Sequence, residues 1–320
     1  MMSKNLFGNK LDKNKLVNRY KKEIGLIGII LILFFVFSFI TEYFLTSSNL
    51  LNITRQISVN FIVAIGATLV ILSGEIDLSV GSNAALSGMS AAFILSTTNS
   101  ISLALLGGII TGGLVGLING LIIVFGKVQS FIVTLSMLGI ARGITLAWSG
   151  GKPISGLPFE FSYFGAGYWG IIPIPTIISL CVFILGYLFL NRTKHGLYIR
   201  SIGANREAAK YSAIPVSKYR IYTFIIQGLT CGVGGIILTS KLLSAQPAVA
   251  HGLELDVIAA VILGGASLAG GVGTLIGTLL GATIMGIISN GMNLVGISAF
   301  YQQIVRGIII IVAIAAQKRA

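Results

Sequence analysis

From residue 24 onward the chain consists of long apolar, glycine-rich runs, and one stretch, residues 191–220, interrupts them with a basic, water-compatible sequence. Several runs reach the ~20 residues that cross a hydrocarbon core. A backbone placed there must close its own hydrogen bonds, and with runs of this length it does so as helix. Charge content decides the environment. Only 10% of the 320 residues are charged and 55% are hydrophobic, whereas a soluble domain carries roughly a quarter charged residues. The chain therefore has too few charges to cover a water-facing surface. It reads as an all-α polytopic membrane protein.

The runs divide into ten expected spans, near 24–45, 57–73, 76–97, 101–125, 128–148, 168–190, 221–240, 254–269, 272–293 and 298–316. A basic tail, 1–22, precedes a single transmembrane domain, 23–318. The first run is too long for a signal peptide and lacks a small-residue cleavage site, so it is expected to be retained. Seven basic residues precede it, seven more fall in 191–220, and Lys318 and Arg319 follow the last run. If all three clusters face the cytoplasm, even numbers of spans must separate them; six and four do so. Both termini are then cytoplasmic, and Trp148 and Trp169 bracket an outer loop at the interfacial depth aromatics favour. The net charge of +13 is explained by this bias rather than by nucleic-acid binding. Cys181 and Cys231 lack metal-ligand spacing and read as small apolar residues.

A faint internal repeat is visible. Glu75-Ile-Asp77-Leu recurs as Glu254-Leu-Asp256-Val, the Asn119 region is echoed around Asn290, and Arg142-Gly143 by Arg306-Gly307. Corresponding spans (2–5 and 7–10) are five apart, an odd number, so the halves would be inverted in the membrane, as in many transporters.

Ionisable groups at membrane depth are functional suspects, which makes Glu75, Asp77, Glu254 and Asp256 candidates for a proton or cation relay. The competing reading is that each accepts hydrogen bonds from amides at a helix start. The i,i+2 spacing does not place a pair on one helix face, which favours the structural reading. Gly112, Gly116 and Gly120, and again Gly273, Gly277 and Gly281, have the spacing that lets helices approach closely in lipid. The glycine-rich stretch 264–273 has no following Gly-Lys-Ser/Thr, so it is no P-loop. Asn119 and Asn290 suit either helix bridging or substrate contact, and Arg142 and Arg306 either a polar pathway or snorkelling to an interface. His195 and His251 are isolated, and no catalytic or metal-binding constellation is read from the sequence.

Residues 203–215 are more specific. Asn205 can cap a helix, residues 206–213 favour one, and Pro215 prevents its continuation. Two turns of helix carrying the small Ala208 and Ala209 suit docking into a groove of another protein, against the plainer reading of a solvated loop carrying topology charges.

Four stretches, residues 64–82, 116–120 with 128–135, 202–209 with 212–214, and 254–265, resemble the permease subunits of bacterial ABC importers of the ribose type, within the branched-chain amino acid/monosaccharide permease family. The resemblance implies a permease working with a second permease copy, a cytoplasmic ATPase that binds the ATP and Mg, and an extracytoplasmic sugar-binding protein. The chain itself then needs no cofactor. Membrane lipid is its surroundings and nucleic acid no partner. Gly203, Asn205, Glu207, Ala208, Ala209, Ser212, Ile214 and Pro215 would form the ATPase-docking element of the coupling loop 191–220. The family often has Gly where Ala213 stands, a change that a helix would tolerate. The implied cargo is a monosaccharide, ribose first, moved by alternating access through a pore between two permease copies; the implied location is the bacterial cytoplasmic membrane. The alternative is an ion-coupled secondary transporter. No substrate-contacting residue is assigned.

Overall fold

A computed structural model describes residues 13–317. Thus part of the basic tail, with Lys4 and Lys10, and the terminal Lys318 and Arg319 lie outside the described residues. The described chain is mostly helical: α1 (Lys13–Ile40), α2 (Ser47–Leu72), α3 (Val80–Thr98), α4 (Ile101–Phe125), α5 (Ser130–Ser149), a 3-10 turn with the one-turn α6 (Tyr163–Ala166), a minimal hairpin of β1 (Tyr168–Trp169) and β2 (Ile172–Pro173), α7 (Ile174–Arg192), α8 (Lys194–Ala204), α9 (Arg206–Tyr211), α10 (Val216–Leu242), α11 (Leu253–Leu263), α12 (Leu275–Leu294) and α13 (Ala299–Gln317). Seven of these are long and apolar enough to cross a membrane: α1 from Lys22, α2, α4, α5, α7, α10 and α12. Together with outward-facing Leu31, Phe35, Phe39, Leu106, Leu185 and Ile311, they make the chain a multi-pass membrane protein.

Two expected spans depart from the plain pattern. The 19 residues of α3 are rich in Gly, Ala and Ser, and residues 80–92 are all buried, packed among α4, α5 and α10. The segment expected at 254–269 is helical only from Leu253 to Leu263. Its eleven residues rise about 16 Å, half a hydrocarbon core. α13, apolar and 19 residues long, lies over the expected last span, 298–316. The sequence pattern caught the apolar content of these stretches but not where the helices break.

Both breaks run at depth. Residues 73–79, ahead of α3, and 243–252, ahead of α11, are not regular helix. Gly81, in the first turn of α3, lies against the Ala250 carbonyl and the Glu254 carboxylate, so the starts of α3 and α11 meet. Val80 and Ala84 share one apolar cluster with Ala64 and Ala67 of α2, Cys231 of α10, and Leu253 and Val257 of α11. This cluster lies well inside the long helices, and α3 and α11 therefore both start in the interior.

Unpaired backbone at such depth is tolerated only where protein groups satisfy it, and they do. The Asp77 carboxylate accepts from Ser79 N at 2.8 Å and from Ser79 Oγ at 2.6 Å. Ser79 Oγ in turn accepts from Asn119 Nδ2 at 3.0 Å. Ile76 N donates to Ser130 Oγ, and Thr134 Oγ1 donates to the Ile76 carbonyl, both at 3.3 Å. At the second break Arg142 Nη1 donates to the carbonyls of Pro247 and Val249. Ile154 and Ala245 exchange backbone hydrogen bonds at 3.1 and 2.9 Å.

The glycine ladders make close helix contacts, except that Gly273 lies in the loop ahead of α12 rather than on the helix. A methyl group on Gly112 or Gly116 would overlap the α10 backbone at Gly228 and Phe224, and one on Gly277 or Gly281 would overlap the α11 end at Gly264 and Ala260. Gly116→Ala should therefore lower stability by about 1–3 kcal/mol through overpacking. Gly139→Ala, with no atom near its would-be Cβ, should be neutral or stabilising by up to ~1 kcal/mol. Thermal unfolding midpoints in detergent distinguish them; equal shifts would contradict the packing.

Candidate functional site

The basic segment forms two short helices on the face where α2 ends and α5 and α12 begin. α8 is capped by Thr193, whose side chain accepts from His195 N. α9 is capped by Asn205, which accepts from Ala208 N at 2.9 Å. The helix expected over 206–213 stops at Tyr211, and Pro215 occupies the cap position ahead of α10. Ala213 is not helical: its φ of +58° is the left-handed conformation that glycine adopts freely. The family's glycine has a conformational reason, and helical tolerance is not the relevant test. Ala213→Val should cost about 1–2 kcal/mol and Ala213→Gly should be neutral to stabilising by roughly 1 kcal/mol, readable as opposite shifts in unfolding midpoint.

The candidate docking residues divide by orientation. Ala209 is 3% exposed and packs with Leu72, Leu190, Ile199, Ile202 and Tyr219, so it anchors α9 to its own chain. Half-buried Ile214 packs against the same cluster. Gly203 sits against the Leu72 carbonyl and the Gly271 amide, where a Cβ has no room. Asn205, Glu207, Ala208, Ser212 and Pro215 face outward. Beside them Tyr211 is 88% exposed, an aromatic that the sequence reading passed over.

Charge ties α9 to the break before α3. Glu75 is 4% exposed, and its Oε1 accepts from Arg206 Nη2 at 2.7 Å and Arg220 Nε at 2.6 Å. Arg200 Nη1 donates to the Gly273 carbonyl at 2.7 Å. Three of the seven basic residues in this segment thus hold the fold, beyond any topological role. Glu75, Lys127, Gln129, Arg206 and Arg220 line an open groove of about 470 Å³. With one carboxylate among three cations, it is net positive.

The other carboxylates take different positions. Asp77 accepts the amide just ahead of α3, whereas Glu75 is paired with arginines. Glu254 lies against the start of α3, and Asp256, one turn into α11, is 3.2 Å from Arg306 Nε. Asn290 and Asn49 exchange side-chain hydrogen bonds at 3.0 and 2.8 Å, bridging α12 to α2. Asn119 bridges α4 to Ser79. Arg142 holds backbone carbonyls rather than snorkelling. His195 Nδ1 lies 2.7 Å from Tyr219 Oη and its ring stacks on Phe189. Cys181 and Cys231 are both free.

A second cavity, about 290 Å³, lies among α2, α10, α12, α13 and the start of α11. Asp256 and Arg306 meet there with Gln56, Asn60, Ser289 and Asn293.

Interrupted helices meeting inside an apolar bundle, with polar groups gathered at the breaks, are an architecture that membrane permeases use. The sequence comparisons agree. Residues 49–314 match the family described as branched-chain amino acid transport system / permease component, and the chain belongs to it. It is 42% identical to the ribose import permease protein of Escherichia coli strain K12, over 89% of this chain and 90% of that protein. It is 38% identical to the D-allose transport system permease protein of the same strain, over 86% and 84%, and 35% identical to the L-arabinose ABC transporter permease protein of Azospirillum brasilense, over 94% and 87%. No solved structure matches.

Glu75→Gln should destabilise the protein by about 2–4 kcal/mol. Breaking a buried pair costs roughly 3–5 kcal/mol, and less where one arginine reaches water. Glu207→Gln, on the exposed face, should stay within about 0.5 kcal/mol. Denaturation of the two purified variants checks this, and an unaffected Glu75→Gln protein would remove the clamp's structural role.

Proposed function

We propose that the chain is the membrane-spanning permease subunit of a bacterial importer of a monosaccharide, ribose first, driven by a separate ATPase. The observation that carries this reading is the 42% identity to a ribose import permease over nine tenths of both chains. The allose and arabinose permeases, at 38% and 35%, keep other monosaccharides as outcomes of a substrate test.

In this reading the chain crosses the cytoplasmic membrane ten times. The seven long helices are joined by α13 and by two composite passes, residues 73–98 and 243–263, each an extended lead-in plus a helix. The basic face with α8 and α9 is cytoplasmic, as are both termini. The lead-in to α3 comes from the basic face and the lead-in to α11 from the opposite one, the relation an inverted repeat requires. A second permease copy and a secreted sugar-binding protein complete the importer, and ATP and Mg are bound by the ATPase.

The ATPase docks on the outward side of α9, through Asn205, Glu207, Ala208, Tyr211, Ser212 and Pro215. Its movement reaches the membrane interior through Arg206, Glu75 and the break before α3. ATP binding must favour one conformation over the other, because a ligand of equal affinity for both shifts nothing. An ion-coupled carrier needs carboxylates free to exchange a cation, whereas Glu75 and Asp256 each face an arginine.

Tyr211→Ala and Ala208→Arg should reduce co-purification of the ATPase and ribose uptake at least ~10-fold, a size typical of a lost interface anchor, while leaving the permease's unfolding midpoint unchanged. Uptake should survive collapse of the ion gradient and stop on ATP depletion. Uptake that follows the gradient, or variants that dock normally, would refute the assignment. Ala209 is unsuitable for this test, since its replacement breaks the permease core.

A further inference from the structure

We propose that each permease chain carries its own monosaccharide subsite, in the polar cavity floored by Asp256 and Arg306. This rests on the importer reading above. The cavity holds about 290 Å³. That volume is at the small end of ligand pockets and suits a pentose- or hexose-sized solute with little space left over.

The chemistry of the lining suits a polyol. Each sugar hydroxyl both donates and accepts, and the cavity offers both functions from several directions. Asp256 and Gln56 supply acceptors, Arg306 supplies donors, and Asn60, Ser289 and Asn293 supply both. Asp256 and Arg306 cancel in charge at the floor, while Arg55 and Lys241 leave the lining as a whole net positive, which disfavours a bare cation. Their 3.2 Å approach is out of line for a hydrogen bond, and Asp256 Oδ1, Arg306 Nε and the buried Gln56 Oε1 have no hydrogen-bond partner. Buried polar atoms are costly to leave unpaired, and hydroxyls bridging these three groups would satisfy them. No Phe, Tyr or Trp among the described residues lines the cavity. The site therefore lacks the flat apolar surface on which sugars stack, as suits a waypoint that must release its cargo.

Position supports the same assignment. Asp256 lies one turn into the interrupted helix α11, and discontinuous helices are where permeases place their cargo. Exposed Lys241 and His251 also line the cavity, on the side of the outer loops. Ala259, Ala260, Leu72 and Leu275 pack together on the basic side.

The test uses the complete importer, permease with ATPase and sugar-binding protein, reconstituted in proteoliposomes with radiolabelled ribose. Ser289→Phe fills the cavity, and Asn60→Leu keeps side-chain size while removing an amide. Both should cut ribose uptake at least ~10-fold while complex assembly and ATPase activity stimulated by the binding protein are retained. For Asn60→Leu, which spares the fold if Ser289→Phe does not, the loss should be accompanied by altered preference across a panel of pentoses and hexoses. Gly139→Ala, remote from the cavity, should transport normally. Wild-type uptake and sugar preference in an assembled Asn60→Leu complex would overturn the subsite while leaving the importer reading intact. A wild-type complex that moves no monosaccharide would overturn both.

Discussion

A backbone amide or carbonyl left unpaired in hydrocarbon costs several kcal/mol, and this chain interrupts its helices twice inside the bundle. Several of its buried polar residues answer to those two breaks. Asn119, Ser130 and Thr134 project from α4 and α5 to serve residues 76–79. Arg142, higher on α5, serves residues 247 and 249. The glycine contacts follow from the same constraint, because short interior helices compensate for their length by packing backbone to backbone, as α11 does with α12 at Gly277 and Gly281. A conventional leucine-rich bundle of straight helices would need none of this. The breaks cost stability, and they are also the places where a membrane protein can expose polar groups to a solute.

The buried charges belong to the same arrangement. An isolated carboxylate at depth is expensive, yet Glu75 and Asp256 each stand beside a break and beside an arginine from a distant helix. They differ in how far they are satisfied. Glu75 accepts from two guanidinium groups at short distance, a closed arrangement that fixes geometry. Asp256 and Arg306 are poorly aligned and keep bonding capacity. Glu75 and Asp256, which hold different positions in the repeated Glu-x-Asp motif, thus serve as a clasp on the basic face and as the floor of a cavity on the other side.

Much of this was legible in the sequence. Apolar runs located the helices, and the start and end of α4 follow the expected 101–125. The 3.6-residue ladder of Gly112 and Gly116 identified a close helix contact, and Asn205 announced the cap of α9. What was not legible is depth: Pro247, His251 and Gly252 mark 243–252 as a break, and the expected spans 221–240 and 254–269 leave it out, but nothing local says that it lies inside the bundle. Long-range pairs such as Glu75 with Arg220, 145 positions apart, leave no local pattern, although a buried acid without a neighbouring base was a signal that a distant one must reach it. The orientation of Ala209 failed for a simpler reason. A six-residue helix is too short for periodicity to separate its inner face from its outer one.

The basic segment gains a different meaning once the breaks are placed. Gly203 rests on the end of α2 and on Gly271, whose amide donates to the Leu72 carbonyl at 3.0 Å, and Arg200 holds the neighbouring Gly273 carbonyl. Residues 200–206 therefore clamp the loop 264–274 that follows α11, while Arg206 clamps the segment that leads into α3. One short stretch grips the basic-side ends of both interrupted passes. Between this grip and the cavity stand packed apolar side chains such as Ile65, Leu69, Leu72 and Leu275, with Thr68 and Thr278 hydrogen-bonded to each other among them. A solute in the cavity can reach the basic face only if α11 or α3 shifts against α2, and neither can shift without disturbing the 200–206 contacts. In the proposed importer, a protein docked on α9 would act at the point where this one stretch grips both interrupted passes.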